Sequence, residues 1–329
     1  MKKLSAIILA GIMALSLAAC GSNGDSEVDI NTSANNESSS EAVEFEPITP
    51  EAGSITIGDY TLSAEYIPFD EPIILPKSSE TDMDVLGNTL YISDGNSSLR
   101  IYTIDGNTLT FVKELEIDTG DSITVDGNGN IYADGGVFEA TIYDADGNET
   151  GKAAASGDID VSKTEDFALT YFFGRDEVTK ISGGVAEPWV IAGVGTDACP
   201  FTGISEIEIQ GGTVLVGGED NDGYLMAAFD TLGNQLVLSE NELKGSLPNA
   251  LAATANGYIS TSVDDVTLIA PDGKIIGSED VSDDLFGCSG SAWIRELTPM
   301  EDGSILAVVF LTKMDADDGQ LLLYRINGF

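Results

Sequence analysis

The chain has no histidine among its 329 residues. That absence removes every Ser-His-Asp or Cys-His catalytic pair and every imidazole metal ligand. Cysteine is nearly as scarce: Cys20, Cys199 and Cys288 show no CxxC spacing and cannot build a four-cysteine zinc site. Basic residues are few, 14 Lys and Arg against 56 Asp and Glu, for a formal net charge of −42. Such a field repels phosphate backbones and anionic headgroups, which excludes nucleic acid as a partner. What is present is 42% hydrophobic residues, enough for one large or two small cores, and 37 glycines. That balance favours a turn-rich β protein over a helical one.

Met1-Lys2-Lys3 opens with positive charge, and Leu4 to Ala19 is apolar apart from Ser5, Gly11 and Ser16. The pattern is that of a secretory signal, too short and one-sided for a membrane span. It runs into Leu17-Ala18-Ala19-Cys20-Gly21, which resembles the lipobox of bacterial lipoproteins. The resemblance implies a signal peptide over residues 1–19, cleavage before Cys20, and a diacylglycerol on its sulfur. With further acylation such as palmitate, the chains would hold the protein stably on the extracytoplasmic face of the cell membrane. Residues 20–52 follow as an acidic segment rich in Ser, Asn, Thr and Gly, with eight acids and no Lys or Arg over 21–52. Such a composition buries too little apolar surface to offset chain entropy and reads as a disordered tether. Residues 53–329 remain as the folded domain.

Within that domain a pattern recurs: an apolar strand, a Gly/Asn/Asp turn, a second apolar strand, then two more strands. Ser122-Ile-Thr-Val-Asp-Gly-Asn-Gly-Asn-Ile-Tyr-Ala133 shows the first hairpin. Second strands centre on Tyr91, Tyr132, Ala168, Leu215, Ile259 and Leu306, a mean spacing of about 43 residues. The turn of the second hairpin recurs at Asp105-Gly106-Asn107, Asp146-Gly147-Asn148, Leu232-Gly233-Asn234 and Asp272-Gly273-Lys274, sequences that supply positive φ. Four strands in a forty-odd-residue period make a β-propeller blade. The expected fold is all-β, a six-bladed β-propeller of four-stranded blades. Its sixth unit ends at Phe329 after three strands, so an N-terminal strand from Thr61–Leu75 is expected to close the last blade and leave no open edge. The stretches at 125–133 and 143–151 resemble NHL-type propeller repeats, while the Trp-Asp and Gly-His signatures of WD repeats are absent.

Acids and amides stand where inner strands begin: Asp82 and Asp84, Asp121, Asp158 and Asp160, Glu206, and Asn249. This placement resembles the six-bladed regucalcin and gluconolactonase family, which holds one divalent cation near the channel. The resemblance implies Asp121, Asp158, Glu206 and Asn249 as ligands of a Ca²⁺ ion, with a lactonase or esterase activity using it as Lewis acid. The Asp-x-Asp-Gly-Asn stretch at 144–148 fails the EF-hand pattern, because Glu149 and Ala155 stand at the sixth and twelfth positions. It reads as a hairpin turn.

The longest connections, 195–203, 243–249 and 282–292, fall on one sector of one face. With the neighbouring loops they offer Asp197, Phe201, Asp220, Asp222, Phe286 and Trp293 as a ligand-binding set. Aromatics amid carboxylates suit a glycan, a cationic peptide or an extracellular protein partner. Cys199 and Cys288 lie in two of these loops. A disulfide between them and two separate buried thiols are both open from sequence. With no histidine partner, neither thiol is a nucleophile candidate. The leading expectation is therefore a lipid-anchored, non-catalytic binding propeller. The metal-dependent hydrolase is the alternative, and a structural partner in an envelope assembly is the third reading.

Overall fold

The computed structural model describes residues 45–79, 81–95, 97–120, 122–134, 139–155, 157–189, 200–239, 243, 245–288, 291–313 and 316–329. Cys20, Asp121, Asp197 and Cys199 lie outside the described residues. Three strands come first, β1 (Ser54–Ile57), β2 (Tyr60–Ile67) and β3 (Ile73–Pro76). Five meandering sheets follow. Blade one holds β4 (Met83–Leu86), β5 (Thr89–Ser93), β6 (Leu99–Asp105) and β7 (Thr108–Leu115). Blade two holds β8 (Ile123–Val125), β9 (Ile131–Asp134), β10 (Glu139–Tyr143) and β11 (Glu149–Ala154). Blade three holds β12 (Asp158–Val161), β13 (Ala168–Tyr171), β14 (Val178–Ser182) and β15 (Val185–Pro188). Blade four holds β16 (Gly203–Gln210), β17 (Thr213–Glu219), β18 (Tyr224–Asp230) and β19 (Gln235–Leu238). Blade five holds β20 (Ala250–Thr254), β21 (Gly257–Ser262), β22 (Asp265–Ile269) and β23 (Ile275–Asp280).

Blade six is built from both ends of the chain. Its inner strands are β24 (Ser291–Pro299), β25 (Ile305–Thr312) and β26 (Asp318–Asn327). The long β26 pairs with β2 at one end, Ser63 opposite Asn327 through Ile67 opposite Leu323, and with β3 at the other, Leu321 opposite Ile73. The N-terminal closure expected from Thr61–Leu75 is thus present, doubled into two strands, with β1 added outside β2. Arg325 fastens this blade to the first, donating to the Gly106 carbonyl at 2.8 Å and to Asn107 Oδ1 at 3.0 Å, and is held within its own blade by Asp302 Oδ2 at 2.9 Å.

The strand patterns follow from position in the blade. Middle strands are covered on both faces by neighbouring blades, so they read as unbroken apolar runs. In β25, Ile305 to Leu311 are all buried. Outer strands alternate or are exposed throughout, as in β15. The core is accordingly a ring of wedges rather than one mass. Buried residues fall into six clusters, one for each junction between neighbouring blades.

Hairpin turns repeat one geometry. In Asp126–Asn130, Asp144–Asn148, Asp230–Asn234, Ala270–Lys274 and Met300–Ser304, the first residue's carbonyl accepts from a glycine three positions on, and its N–H donates to the fifth residue's carbonyl. Those glycines have φ of 84°, 83°, 84°, 90° and 83°, a conformation that disfavours side chains. In the Asp-led turns the carboxylate accepts backbone N–H groups as well, as Asp144 does from Asp146 and Asn148 at 2.9 Å each. Residues 144–148 are a hairpin turn, as their sequence indicates.

Residues 45–52, which composition assigns to the tether, run along blade six. Phe45 is buried in the junction of blades five and six, and the Ile48 backbone exchanges two hydrogen bonds with the Gln320 amide, at 2.8 and 3.1 Å. The tether reading of 20–52 therefore extends too far at this end: Phe45, its lone aromatic, finds apolar cover.

Ile67 is fully buried between blades six and one, on the strand that closes the ring. Ile67→Ala should cost about 3 kcal/mol in urea unfolding. Val112→Ala, on the exposed outer strand β7, should cost well under about 1 kcal/mol; equal losses would contradict closure through this wedge.

Candidate functional site

The inner strand of each blade pairs on one side only. Its other edge faces the channel, where buried N–H groups need acceptors. The sequence supplies acids at these positions, and each acid uses one oxygen locally. Asp82, Asp84, Asp160, Glu206 and Glu296 all accept the N–H of the next residue, at 2.6–3.0 Å. Three of them use the other oxygen to reach the next blade. Asp82 takes the N–H of Ile123 at 2.8 Å, Asp84 that of Val125 at 2.6 Å, and Asp160 that of Ile209. Thr124 links blades two and three by donating to Asp160 at 3.0 Å. Gln210 joins blade four to blade five through Ala253 N–H at 2.7 Å and the Leu251 carbonyl at 3.2 Å.

Glu206 and Glu296 differ. Each follows a β-bulge, at Ser205 in β16 and at Arg295 in β24. A bulge re-aims the side chains beyond it. Among the described residues, neither carboxylate takes a backbone N–H from the next blade. Glu206 instead receives the Tyr171 hydroxyl at 3.3 Å, and Glu296 shares a hydrogen bond with Glu208. These groups line a channel chamber of about 300 Å³ together with Thr81, Asp82, Asp84, Ser122, Asp158, Asp160, Lys163 and Arg295.

Among the described residues, seven carboxylates thus face two cations. Lys163 lies 2.5 Å from Asp84 Oδ1, and although burial lowers an ammonium's affinity for its proton, Asp84 and Asp160 outweigh that and hold it above its ordinary range. The Arg295 guanidinium stands over the rings of Trp293 at 4.5 Å and Phe310 at 5.6 Å. Burial pushes Asp82 up to about 7, against the N–H groups of Ile123 and Met83 that pull it down. Burial likewise raises Asp160 to about 6, despite Lys163. Glu206, Glu208 and Glu296 are raised well above the carboxylate range by burial and then by one another and the neighbouring acids. The arrangement can hold protons or a cation. Among the described residues it offers no group of three acids or cysteines arranged to hold a metal ion.

Of the residues singled out in the sequence, Asp158 and Glu206 do meet in the chamber. Asn249 borders it, but its amide is engaged with backbone: Oδ1 accepts from Val263 N–H at 3.0 Å and Nδ2 donates to the Ile294 carbonyl. Val263 has φ of 48°, rare for a β-branched residue, and this clamp between blades five and six holds it there. Asp220 folds its own loop, accepting from Asp222 N–H at 2.7 Å and Gly223 N–H at 2.8 Å, while Asp222 is exposed.

Two of the aromatics are core residues. Phe201 is buried in the junction of blades three and four, and Phe286 is fully buried against Tyr324 with ring centroids 4.7 Å apart. Their loops turn inward because apolar neighbours come with them, Val281, Leu285 and Cys288 in the second case. Cys288 is a free buried thiol, 3.3 Å from the Tyr324 hydroxyl. Trp293 stays 40% exposed on the inner strand β24, and Phe173, at 62%, lines the chamber. Phe173 was hidden in the sequence by Phe172 and the end of β13. Glu208, Glu296 and Lys163 were also missed, although Ile-Glu-Ile-Gln at 207–210 alternates a charged face on an inner strand.

No protein-family model matches the chain, and no curated protein does. Among solved structures it is similar to the WD40 β-propeller domain of Doa1, with a TM-score of 0.48 and 12% identity, covering 79% of this chain and 96% of that one. Hsv2 of Kluyvelomyces marxianus gives 0.45 and 15% identity, over 71% and 73% of the two chains. The six-bladed propeller stands on the sheets described above, and such a fold is a general scaffold for binding proteins and ligands.

Raised carboxyl groups bind protons more tightly in the folded chain than the unfolded one. Their stabilising contribution is complete below about pH 4 and is lost as pH rises through about 6 and 7. Calorimetry should give a higher Tm at pH 5 than at pH 8, with a flatter profile for Asp82→Asn. Lys163→Met should lose about 2 kcal/mol at pH 8 and less at pH 5, where protonated acids no longer need the ammonium. A pH-independent loss would refute that coupling.

Proposed function

We propose that this chain is a lipoprotein anchored through Cys20 to the extracytoplasmic face of the cell membrane, whose propeller binds an extracellular peptide, glycan or protein partner without catalysis. The observation that carries the binding reading is an acidic chamber with two exposed aromatics at hand: Phe173 lines it, and Trp293 lies under the guanidinium of Arg295, which lines it too. Exposed aromatic rings at the rim of a polar cavity are the usual anchors of an interface. The leader, the Leu17-Ala18-Ala19-Cys20 sequence and the acidic segment after it support the anchor. A long negative tether self-repels and lifts the propeller away from the surface.

The hydrolase reading draws on the same carboxylates but has less support. Asp158 and Glu206 meet, whereas the Asn249 amide is committed to backbone and no described acid cluster has metal-holding geometry. The envelope-assembly reading shares the loop face and differs only in the permanence of the partner.

Cys20→Ala should abolish incorporation of labelled palmitate and release the protein from the membrane fraction. Retention of label would sink the anchor. Thermal shift of the full-length chain in neutral detergent, against panels of peptides, oligosaccharides, lactones and esters, tests the rest. A stabilising peptide or glycan should lose its effect, by about 10-fold in affinity or more, in Phe173→Ala/Trp293→Ala. Turnover of a lactone or ester would overturn the non-catalytic reading.

A further inference from the structure

The channel acids divide into two sets. Asp82, Asp84 and Asp160 give both oxygens to backbone N–H groups, and Lys163 brings an ammonium to Asp84 and Asp160 from the face of the β12–β13 turn. Asp158, Glu206, Glu208 and Glu296 line the same chamber, and among the described residues none of the three glutamates accepts a backbone N–H from the next blade. There Arg295 supplies the positive charge, its guanidinium held over the Trp293 and Phe310 rings. A second and independent feature points into the same space. Thr81 is only 6% exposed and lines the chamber, yet its hydroxyl has no hydrogen-bond partner among the described residues. The Ser122 hydroxyl, in the same wall, is in the same condition. Buried hydroxyls left unpaired are costly unless a guest completes them.

We infer that the chamber bounded by Asp158, Glu206, Glu208, Glu296 and Thr81 is a binding site for the primary ammonium of a linear alkylamine, a free diamine or a lysine side chain. This rests on the reading of the loop face as a binding face and names the chemistry its chamber takes. Lys163 is the internal precedent, since an ammonium already sits among acids of this channel. An ammonium carries three divergent donors, which suits acids spread around a ring. A bare divalent ion needs them converged, and the described acids show no such convergence. The chamber's roughly 300 Å³ admits an alkyl chain behind the charged head.

Binding is coupled to protons. Burial and mutual repulsion raise Glu206, Glu208 and Glu296 well above the carboxylate range and so favour their protonated forms. An arriving ammonium favours their ionised forms, so protons leave as it enters and affinity rises with pH until the amine itself deprotonates. The groups facing the guest are Asp82, Asp84, Asp158, Asp160, Lys163, Tyr171, Glu206, Glu208, Arg295 and Glu296, and of these Asp82, Asp160, Glu206, Glu208 and Glu296 are the raised acids that an arriving ammonium helps to ionise.

Titration calorimetry of the full-length chain in neutral detergent, with 1,5-diaminopentane at pH 6 and pH 8, tests the inference. The expected result is one-to-one binding, about 10-fold tighter at pH 8. Glu206→Gln/Glu296→Gln should weaken it about 10-fold while keeping Tm at or above wild type, and 1,5-pentanediol should give no heat. Glu206→Lys, which installs an ammonium in the chamber, should abolish binding as a second variant. A lysine-containing peptide binding more tightly than the diamine identifies a polypeptide source, and the reverse order a small-molecule source. Ca²⁺ binding more tightly than the diamine, binding unchanged in the Gln double variant, or no binding at pH 8 overturns the inference. If the amine fails while ligands dependent on Phe173 and Trp293 persist, the chamber assignment falls and the wider function stands. If those ligands fail while the amine binds, the reverse holds.

Discussion

The inner strands of this propeller have one edge that no strand pairs, and everything in the channel follows from how those edges are satisfied. A buried N–H without an acceptor costs on the order of 1–3 kcal/mol, and closing a ring stacks six such edges around one axis. The solution is a carboxylate or amide from the preceding blade. Asp82 and Asp84 serve blade two, Asp160 serves blade four and Gln210 serves blade five, while in blade six the Ile294 N–H goes to the Val263 carbonyl and Asn249 donates to the Ile294 carbonyl. These are charged groups performing the work of a strand ladder. Each pairing also fixes the offset between neighbouring blades, which the apolar wedges alone would leave free to slide. The hydrophobic effect has no direction; the hydrogen bonds do.

That solution concentrates negative charge in a confined space, and the second design problem is to keep it from pushing the ring apart. Lys163 offsets the charge of Asp84 and Asp160, and proton uptake offsets more, as the raised Asp82 shows. The acidic surface is a separate matter. Asp144 and Asp230 sit in exposed turns where the Asn148 and Asn234 side chains hold them below their ordinary range. One residue type thus has opposite titration behaviour at the turn and in the channel, set by whether water or protein surrounds it.

The architecture was legible because it repeats. Each second strand located by its apolar run, from Tyr91 to Leu306, lies in the second strand of a blade, and the missing strand of the last blade was implied by edge pairing alone. The site was less legible because its residues carry no repeat. An aromatic in an acidic loop looks the same in sequence whether it faces solvent, as Trp293 does, or turns inward, as Phe286 does. The difference lies in the company it keeps: Val281, Leu285, Phe286 and Cys288 are buried together, in a segment turned by the Leu285 and Phe286 N–H groups bonding to the Val281 carbonyl. Asn249 misleads in another way. An amide at a channel mouth has the chemistry of a cation ligand and of a backbone clamp alike, and only the positions of Val263 and Ile294 decide between them.

The bulges at Ser205 and Arg295 are where structure and function part company in this ring. In blades one and three the inner strand is regular, and its acids reach the next blade. In blades four and six the extra residue shifts the following glutamate out of that reach, so the linking task passes elsewhere. Gln210 and the Ser205 hydroxyl, at 2.6 Å from the Pro248 carbonyl, take it over in blade four. Arg325 does so on the outer side of blade six. Glu206 and Glu296 are then released from pairing with the backbone of the next blade and meet side chains of other blades instead, Tyr171 and Glu208, in the chamber that Phe173 also lines. A carboxylate kept in a buried chamber without a backbone donor from the next blade raises the cost of the fold at neutral pH. The bulges therefore mark the positions at which this ring carries acids for a guest rather than for itself.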